Sequence, residues 1–397
     1  MPVKLVLGLQ HGDEGKGRIV DDLVQDWAEI VVRFQGGGNA GHTVYDDSGN
    51  KFVTHTLPVG VLNKTKFNLI TKGCLINILD VFEEIQSLNV GPDNLKISGL
   101  CPIIEPLHIL KDKERYVGKI GTTSKGIGPA YSDFYARDSI LFKDFIEDPD
   151  NAIRKMKRRL DSYKEKSIVS YSFLRNVSDV EARFNILLDK FKEIHASLKR
   201  FYLNNEFILH DLIDHNILLE GAQGSGLSIN TENYPNVTSS YPTVGGALNA
   251  TNLNHSQIDE VIGVIKSYKT KVGSGDFPSI CPEGPAKILA EIGDEYGATT
   301  GRPRQCGWLD LDEVINAVKI NGVNHICVVK TDVLTHVDEP CVYFDKKLIK
   351  IQSINEVDHN SEPFKNLLMM VKNKTGVKGI SYTTGPKRGE IVWKPKL

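Results

Sequence analysis

Short apolar runs, glycine-rich turns and charged helical stretches alternate along this chain. Residues 4–9 are apolar almost throughout, the pattern of a strand buried on both faces. A glycine-rich stretch covers residues 12–17. After it, Ile19, Val20, Leu23, Val24 and Trp27 recur at helical spacing, and residues 30–34 are apolar again. Strand, loop, helix, strand is how a parallel α/β sheet begins. Further apolar runs lie at residues 216–220, 261–265, 325–330 and 378–382, several of them followed by glycine-rich turns. Between them, residues 150–166 and 180–201 are charged and helix-prone. The second stretch carries Phe184, Leu187, Leu188, Phe191, Ile194 and Leu198 on one stripe, as an amphipathic surface helix would. No internal repeat, linker or low-complexity segment interrupts the pattern. The expectation is an α/β fold over a single domain, residues 1–397. It would have a mostly parallel central sheet, P-loop-like phosphate loops and inserted helical subdomains.

Composition narrows the function class. Of 397 residues, 40% are apolar and 25% charged, close to globular averages, so a large core is expected. A formal net charge of -2 argues against a general nucleic-acid binder, which carries a basic excess. The six cysteines, Cys74, Cys101, Cys281, Cys306, Cys327 and Cys341, include no C-x-x-C pair. They signal neither a zinc site nor a redox couple and suit the reduced thiols of a cytoplasmic protein. No apolar run reaches the roughly 18 residues of a membrane span.

Five segments carry candidate chemistry. In Gly8-Leu9-Gln10-His11-Gly12-Asp13-Glu14-Gly15-Lys16-Gly17, glycines after a strand let backbone N–H groups face phosphate oxygens at a helix N-terminus, and Lys16 adds charge. A Walker A loop would follow its lysine with Ser or Thr; here Gly17 follows, and Arg18 after it. A carboxylate inside such a loop makes sense if Asp13 holds a metal or takes a proton. The same pattern also suits an ordinary glycine-rich turn. The second segment, Gln35-Gly36-Gly37-Gly38-Asn39-Ala40-Gly41-His42-Thr43, should lie on the same sheet edge, with His42 placed to donate and a backbone carbonyl available to magnesium. Third, Lys330-Thr331-Asp332 ends an apolar run; a carboxylate there can accept from N1–H and the 2-amino group of guanine, which selects GTP over ATP. Fourth, Gly297-Ala298-Thr299-Thr300-Gly301-Arg302-Pro303-Arg304 offers two arginines for a carboxylate or phosphate. Fifth, residues 121–129, with Arg137 beyond, read as another anion loop.

Taken in order, these segments resemble the adenylosuccinate synthetase family across nearly the whole chain. The matching runs are Gly12–Gly17, residues 39–43, residues 126–131, Glu220-Gly221-Ala222-Gln223-Gly224, residues 237–240, 297–302, 307–310 and 384–386. The resemblance implies a homodimer that joins L-aspartate to IMP at the expense of GTP, with Mg2+, through a 6-phosphoryl-IMP intermediate. By matched position it implies Asp13 as base and His42 as acid, with Lys16 and Gln223 assisting. GTP would be held by Gly12, Asp13, Glu14, Gly15, Lys16, Gly17, Arg18, Gly41, His42, Thr43, Arg304, Lys330, Thr331, Asp332, Thr383, Thr384 and Gly385. IMP would meet residues 13–16, Asn39, Ala40, Gly41, His42, Thr123, Gln223, Thr238 and Arg302, and Arg137 from the neighbouring subunit. Aspartate would lie against Ala298, Thr299, Thr300, Gly301, Arg302, Pro303 and Arg304, and magnesium on Asp13 and Gly41.

The sequence departs from the family pattern in places. His11 stands where Trp is usual, Lys125 where Arg is usual, and Pro303 interrupts a run of arginines. Residues 228–233 lack the usual acidic and His residues, and Tyr241 replaces Asn. Two other readings stay open: a (d)GMP-using aminoadenylosuccinate synthetase-like enzyme, whose kind tends to lack the base aspartate, and a non-catalytic GTP-binding regulator.

Overall fold

A computed structural model describes residues 2–116, 122–166, 171–271, 277–296 and 304–396. Its centre is a ten-stranded sheet. Across it the strands run in the order Ile391–Val392, Gly379–Thr383, His325–Val329, Glu260–Lys266, Val3–Gly8, Ile217–Gly224, Ile30–Arg33, Phe67–Ile70, Leu95–Ser98 and Tyr202–Leu203. All neighbours are parallel except the antiparallel pair formed by Ile391–Val392 with Gly379–Thr383.

The first apolar run explains itself once both faces of the sheet are seen. Side chains alternate along a strand, so Val3, Leu5 and Leu7 enter one core and Val6 the other. The first core is closed by the helices Leu311–Asn321 and Glu362–Thr375, through Val314, Val318, Phe364 and Leu368. The second is closed by the helix Lys16–Asp26, through Ile19, Val20, Leu23 and Val24. Each fully buried aliphatic side chain contributes about 1.5–3 kcal/mol, which is why the run stays apolar from Leu5 onward and its one charged residue, Lys4, is only half-buried and paired with Glu260.

The helical insertion lies at the far sheet edge. Phe142–Glu147, Pro149–Lys166, Tyr171–Asp189 and Phe191–Lys199 share a core with Phe67–Ile70 and Leu95–Ser98. The stripe over residues 180–201 is core-facing, with Phe184, Leu187, Ile194 and Leu198 buried. It belongs to two helices rather than one, divided at Lys190. The division lets the first helix pack on Pro106–Tyr116 and the second on Ile78–Ser87 and Phe142–Glu147. The sequence pattern also passed over the four-residue strands of the sheet edge and a second sheet built from Tyr268–Lys271, Gln305–Asp310, Cys341–Phe344 and Lys347–Lys350. Apart from the six-residue Gln305–Asp310, these strands carry too few positions for a period to register.

Candidate active site

Strand order reverses at Val3–Gly8, which lies between Ile217–Gly224 and Glu260–Lys266. Ligands of open α/β sheets bind beyond the carboxyl ends of the strands at such a point. The loop that leaves Gly8 opens there, and the loop after Ile30–Arg33 leaves the same edge.

A buried carboxylate shapes the first loop. Glu14 Oε1 accepts from the amides of Gln10 (3.1 Å) and Gly12 (2.8 Å), and Oε2 accepts from Lys16 Nζ at 2.5 Å. Glu14 is wholly buried, so its side chain supports the loop from within. Close approach makes Gly8 and Gly224 obligatory: a β-carbon on either would lie 2.3 Å from a Glu14 oxygen. Asp13 takes a left-handed backbone (φ 58°) and turns outward, with its side chain 45% exposed. Its Oδ2 pairs with Arg304 Nη2 at 2.9 Å. The Arg18 guanidinium pairs with Asp22 at 3.3 Å and donates to the Lys387 carbonyl.

Gly17 is accounted for by the second loop. A β-carbon there would sit 2.8 Å from Cβ of His42, so the residue that Walker A loops give to Ser or Thr is excluded by the histidine. His42 begins the hairpin His42–Tyr45 with Lys51–Thr54. Its Nδ1 lies 2.6 Å from Glu220 Oε1, which also accepts from Arg33 Nη1 at 2.7 Å, while Oε2 accepts from the Val59 amide at 2.8 Å. Burial would raise the Glu220 carboxyl, but the hydrogen bond and charge of His42, with Arg33, hold it below the ordinary range. Glu220 is therefore an acceptor, Nδ1 carries the proton, and Nε2 is left for a ligand. Burial and Arg33 push the imidazole pKa down, opposed by Glu220.

Gln223 Nε2 and Asn39 Oδ1 are among the polar groups buried here without partners. Gln223, also left-handed (φ 53°), is held by its oxygen, which accepts from Gln35 at 3.1 Å and Ser240 at 3.3 Å. Thr238 Oγ1 lies 3.2 Å from Ser240 Oγ. Orphaned buried groups are costly, about 1–3 kcal/mol each, and a ligand that pairs with them removes the penalty. Ala40 is buried, Gly41 exposed and Thr43 half-buried.

At the other end of the edge, Asp332 follows His325–Val329, and Thr384 and Gly385 follow the adjacent strand Gly379–Thr383. The Thr331 hydroxyl donates to the Thr383 carbonyl and ties the two strand ends together, so it is not directed at a ligand. Burial pushes the half-buried Asp332 carboxyl up. Lys330 donates to the Gly293 carbonyl and lies 3.3 Å from Glu295.

Of the remaining candidates, Thr123 is exposed, on a loop fixed by Asp112, which accepts from the Thr122 hydroxyl (2.7 Å) and the Gly126 amide (2.8 Å). Lys125 lies 3.6 Å from Asp80. Arg137 is exposed, with φ 63°, just past the helix Ile127–Tyr135. Gly121, Gly297, Ala298, Thr299, Thr300, Gly301, Arg302 and Pro303 lie outside the described residues. His11 pairs with Glu313 at 2.8 Å and approaches Asn233 Nδ2 at 3.3 Å.

Sequence reasoning assigned no role to Glu220, Arg33 or Glu295. A charged residue closing an otherwise apolar run, as Glu220 does, is the one local signal that marked it. Arg33 and Glu295 acquire partners only through tertiary contacts.

Among the described residues no helix is long and apolar enough to cross a membrane. The family model described as adenylosuccinate synthetase matches residues 5–383. The adenylosuccinate synthetase of Caldicellulosiruptor saccharolyticus is 35% identical over 431 residues, covering 99% of both chains. That of Halothermothrix orenii is 41% identical over 346 residues, covering 85% of this chain and 78% of its own. The fully ligated Plasmodium falciparum adenylosuccinate synthetase superposes with a TM-score of 0.86 at 29% identity, over 99% of this chain and 100% of its own. The cyanophage S-2L succinoaminodeoxyadenylate synthetase, bound to dGMP and dATP, shares the fold, with a TM-score of 0.68 at 17% identity over 100% and 96% of the two chains. With sequence and fold agreeing along nearly its whole length, the chain belongs to the adenylosuccinate synthetase family, GTP-dependent ligases of purine biosynthesis.

Proposed function

We propose that this chain joins L-aspartate to C6 of IMP, with GTP giving up its terminal phosphate. The observation that carries this reading is the pairing of an outward-facing Asp13 with a buried His42 whose Nδ1 is taken by Glu220. One supplies a base and the other a ring nitrogen, both on loops that leave the same sheet edge.

The reading assigns these steps. Asp13 takes the N1 proton of IMP, and the negative charge moves to the 6-oxygen. That oxygen attacks the γ-phosphorus of GTP, so the O6–P bond forms and the bond to GDP breaks. His42, protonated as the triphosphate's negative charge offsets Arg33, donates from Nε2 to the transferring group. Lys16 and the loop amides take up developing charge. The amine of aspartate then bonds to C6 as phosphate leaves with O6. The Asp13 carboxylate and the exposed Gly41 carbonyl are hard oxygen donors of the kind magnesium takes beside phosphate oxygens. Bound there, Mg2+ would neutralise charge on the β- and γ-phosphates.

Gln223, Asn39, Thr123 and Thr238 would hold IMP, with Arg302 and, across a homodimer interface, the exposed Arg137. Residues 298–304 would hold aspartate. Asp332, with Lys330, Thr383, Thr384 and Gly385, would frame guanine. Residues 1–397 act as one domain in this reading, since the central sheet draws strands from residue 3 to residue 392. The free cysteines suit a cytoplasmic setting.

The test is phosphate release with GTP, Mg2+, aspartate and either IMP or dGMP, with each component omitted in turn. Release that needs all of GTP, IMP and aspartate, with adenylosuccinate as product, is the expected result. Turnover with dGMP alone, or GTP hydrolysis indifferent to the other two, would overturn the reading. Within it, Asp332→Asn should raise the KM for GTP by about 10–100-fold and narrow the preference over ATP, because a carboxylate accepts both guanine donors and an amide does not. An unchanged GTP/ATP ratio removes Asp332 from guanine recognition.

A further inference from the structure

Beneath the two ends of this site lies one carboxylate that the mechanism above does not use. Glu295 is wholly buried, accepts hydrogen bonds from three side chains and forms an ion pair with a fourth. Tyr268 Oη lies at 2.6 Å, Arg304 Nη1 at 2.7 Å, Lys266 Nζ at 3.2 Å from both oxygens, and Lys330 Nζ at 3.3 Å. Its backbone is fixed too, with its amide donating to the Ala290 carbonyl and its carbonyl accepting from the Arg304 amide, both at 2.9 Å. Tyr268 can come so close because Gly293 has no side chain: a β-carbon there would meet its hydroxyl at 2.2 Å.

We infer that Glu295 is a positioning residue that orients Arg304 and Lys330 together, so that one buried carboxylate sets the geometry at both the reacting end and the guanine end of the nucleotide site. The inference rests on the assignment of those ends under Proposed function. Arg304 spans the two carboxylates, with Nη1 on Glu295 and Nη2 on Asp13 at 2.9 Å. Its Nε is buried and unpaired, the donor left over for a bound anion. Lys330 reaches Glu295 from the residue just before Thr331 and Asp332. A planar guanidinium fixed at one edge presents its other edge in one direction only, so the place where Nη1 is held decides where Nη2 meets Asp13. Three cations, Lys266, Arg304 and Lys330, face two carboxylates, Glu295 and Asp13. One positive charge remains where anionic substrates must arrive.

A carboxylate serving only to neutralise Lys266 would matter for stability alone. A positioning residue moves substrate parameters in a protein that stays folded. The comparison uses the full chain and the variants Glu295→Gln, Lys330→Met and their double, with GTP affinity measured by direct titration and kcat by phosphate release. Glu295→Gln keeps the side-chain shape and removes the charge. It is expected to weaken GTP binding by about tenfold and lower kcat by about tenfold. The double variant should bind GTP no more weakly than Lys330→Met alone, because the effect on GTP passes through Lys330. Should Glu295→Gln not fold, Tyr268→Phe removes one donor from Glu295 and leaves every charge, and is expected to shift both parameters the same way by about threefold.

Unchanged GTP affinity and kcat in folded Glu295→Gln, or in Tyr268→Phe if that is the variant that folds, overturns the inference. Fully additive losses in the double overturn it as well. Because GTP is titrated with no second substrate, this outcome is separable from that of the functional reading. A parent chain that binds no GTP sinks the reading; one that binds GTP with an affinity blind to Glu295 sinks only the inference.

Discussion

Asp13→Asn is expected to lower kcat by about 10²–10⁴-fold, the range removed with a general base, while GTP affinity stays within about threefold. The asymmetry follows from the loop's construction. Its shape is set by Glu14, whose oxygens bind the amides of Gln10 and Gly12 and the ammonium of Lys16, and none of these contacts involves Asp13. Removing the outward carboxylate leaves the phosphate cradle in place. Arg304 also keeps a partner, since its Nη1 stays on Glu295 at 2.7 Å, so no buried guanidinium is stranded and the fold should hold. Steady-state kinetics with IMP, aspartate and GTP, beside a GTP titration, reads both quantities. Undiminished kcat would take Asp13 out of the chemistry; a collapse of GTP affinity of similar size would make it a binding residue first.

The second large effect is expected at a residue that touches no substrate in this reading. Glu220→Gln should lower kcat by about 10²-fold. The carboxylate takes the Nδ1 proton of His42 at 2.6 Å and so fixes which nitrogen faces the ligand. An amide there carries no negative charge, so it no longer supports the protonated imidazole on which donation from Nε2 depends. Glu220 also compensates buried Arg33 at 2.7 Å, so some loss of stability accompanies the change, and a melting curve must accompany the kinetics. The separating measurement is a cycle with His42→Asn. If Glu220 works through His42, adding Glu220→Gln to His42→Asn should cost little further activity. A full further loss of about 10²-fold in the double variant would show that Glu220 serves another group.

Several elements were legible for simple reasons. Val3–Gly8 is buried on both faces, so its composition alone announces a central strand. Lys16–Asp26 turns Ile19, Val20, Leu23 and Val24 into one core, so its apolar residues keep helical spacing. The glycines of the first loop were legible as a turn between strand and helix, but Gly17 owes its identity to His42, a contact that spacing does not reveal. Glu14 was legible only as a member of the motif, and burial assigned its side chain to the loop itself. The helix division at Lys190 was hidden because the apolar stripe runs unbroken through it, and only the two packing partners require the bend.

From its own order of residues, then, the chain determined where the longer strands of the central sheet and its first helix form, since each depends on periods within a dozen positions. It also placed the glycine, carboxylate and histidine motifs at strand ends. Which groups meet there was decided by tertiary structure. Glu220 joins His42 across 178 positions, and Lys266 joins Glu295 across 29, because neighbouring parallel strands and their loops converge on one sheet edge. Partners that distant leave no periodic trace. A buried charge can be read only once the group that neutralises it has been brought alongside.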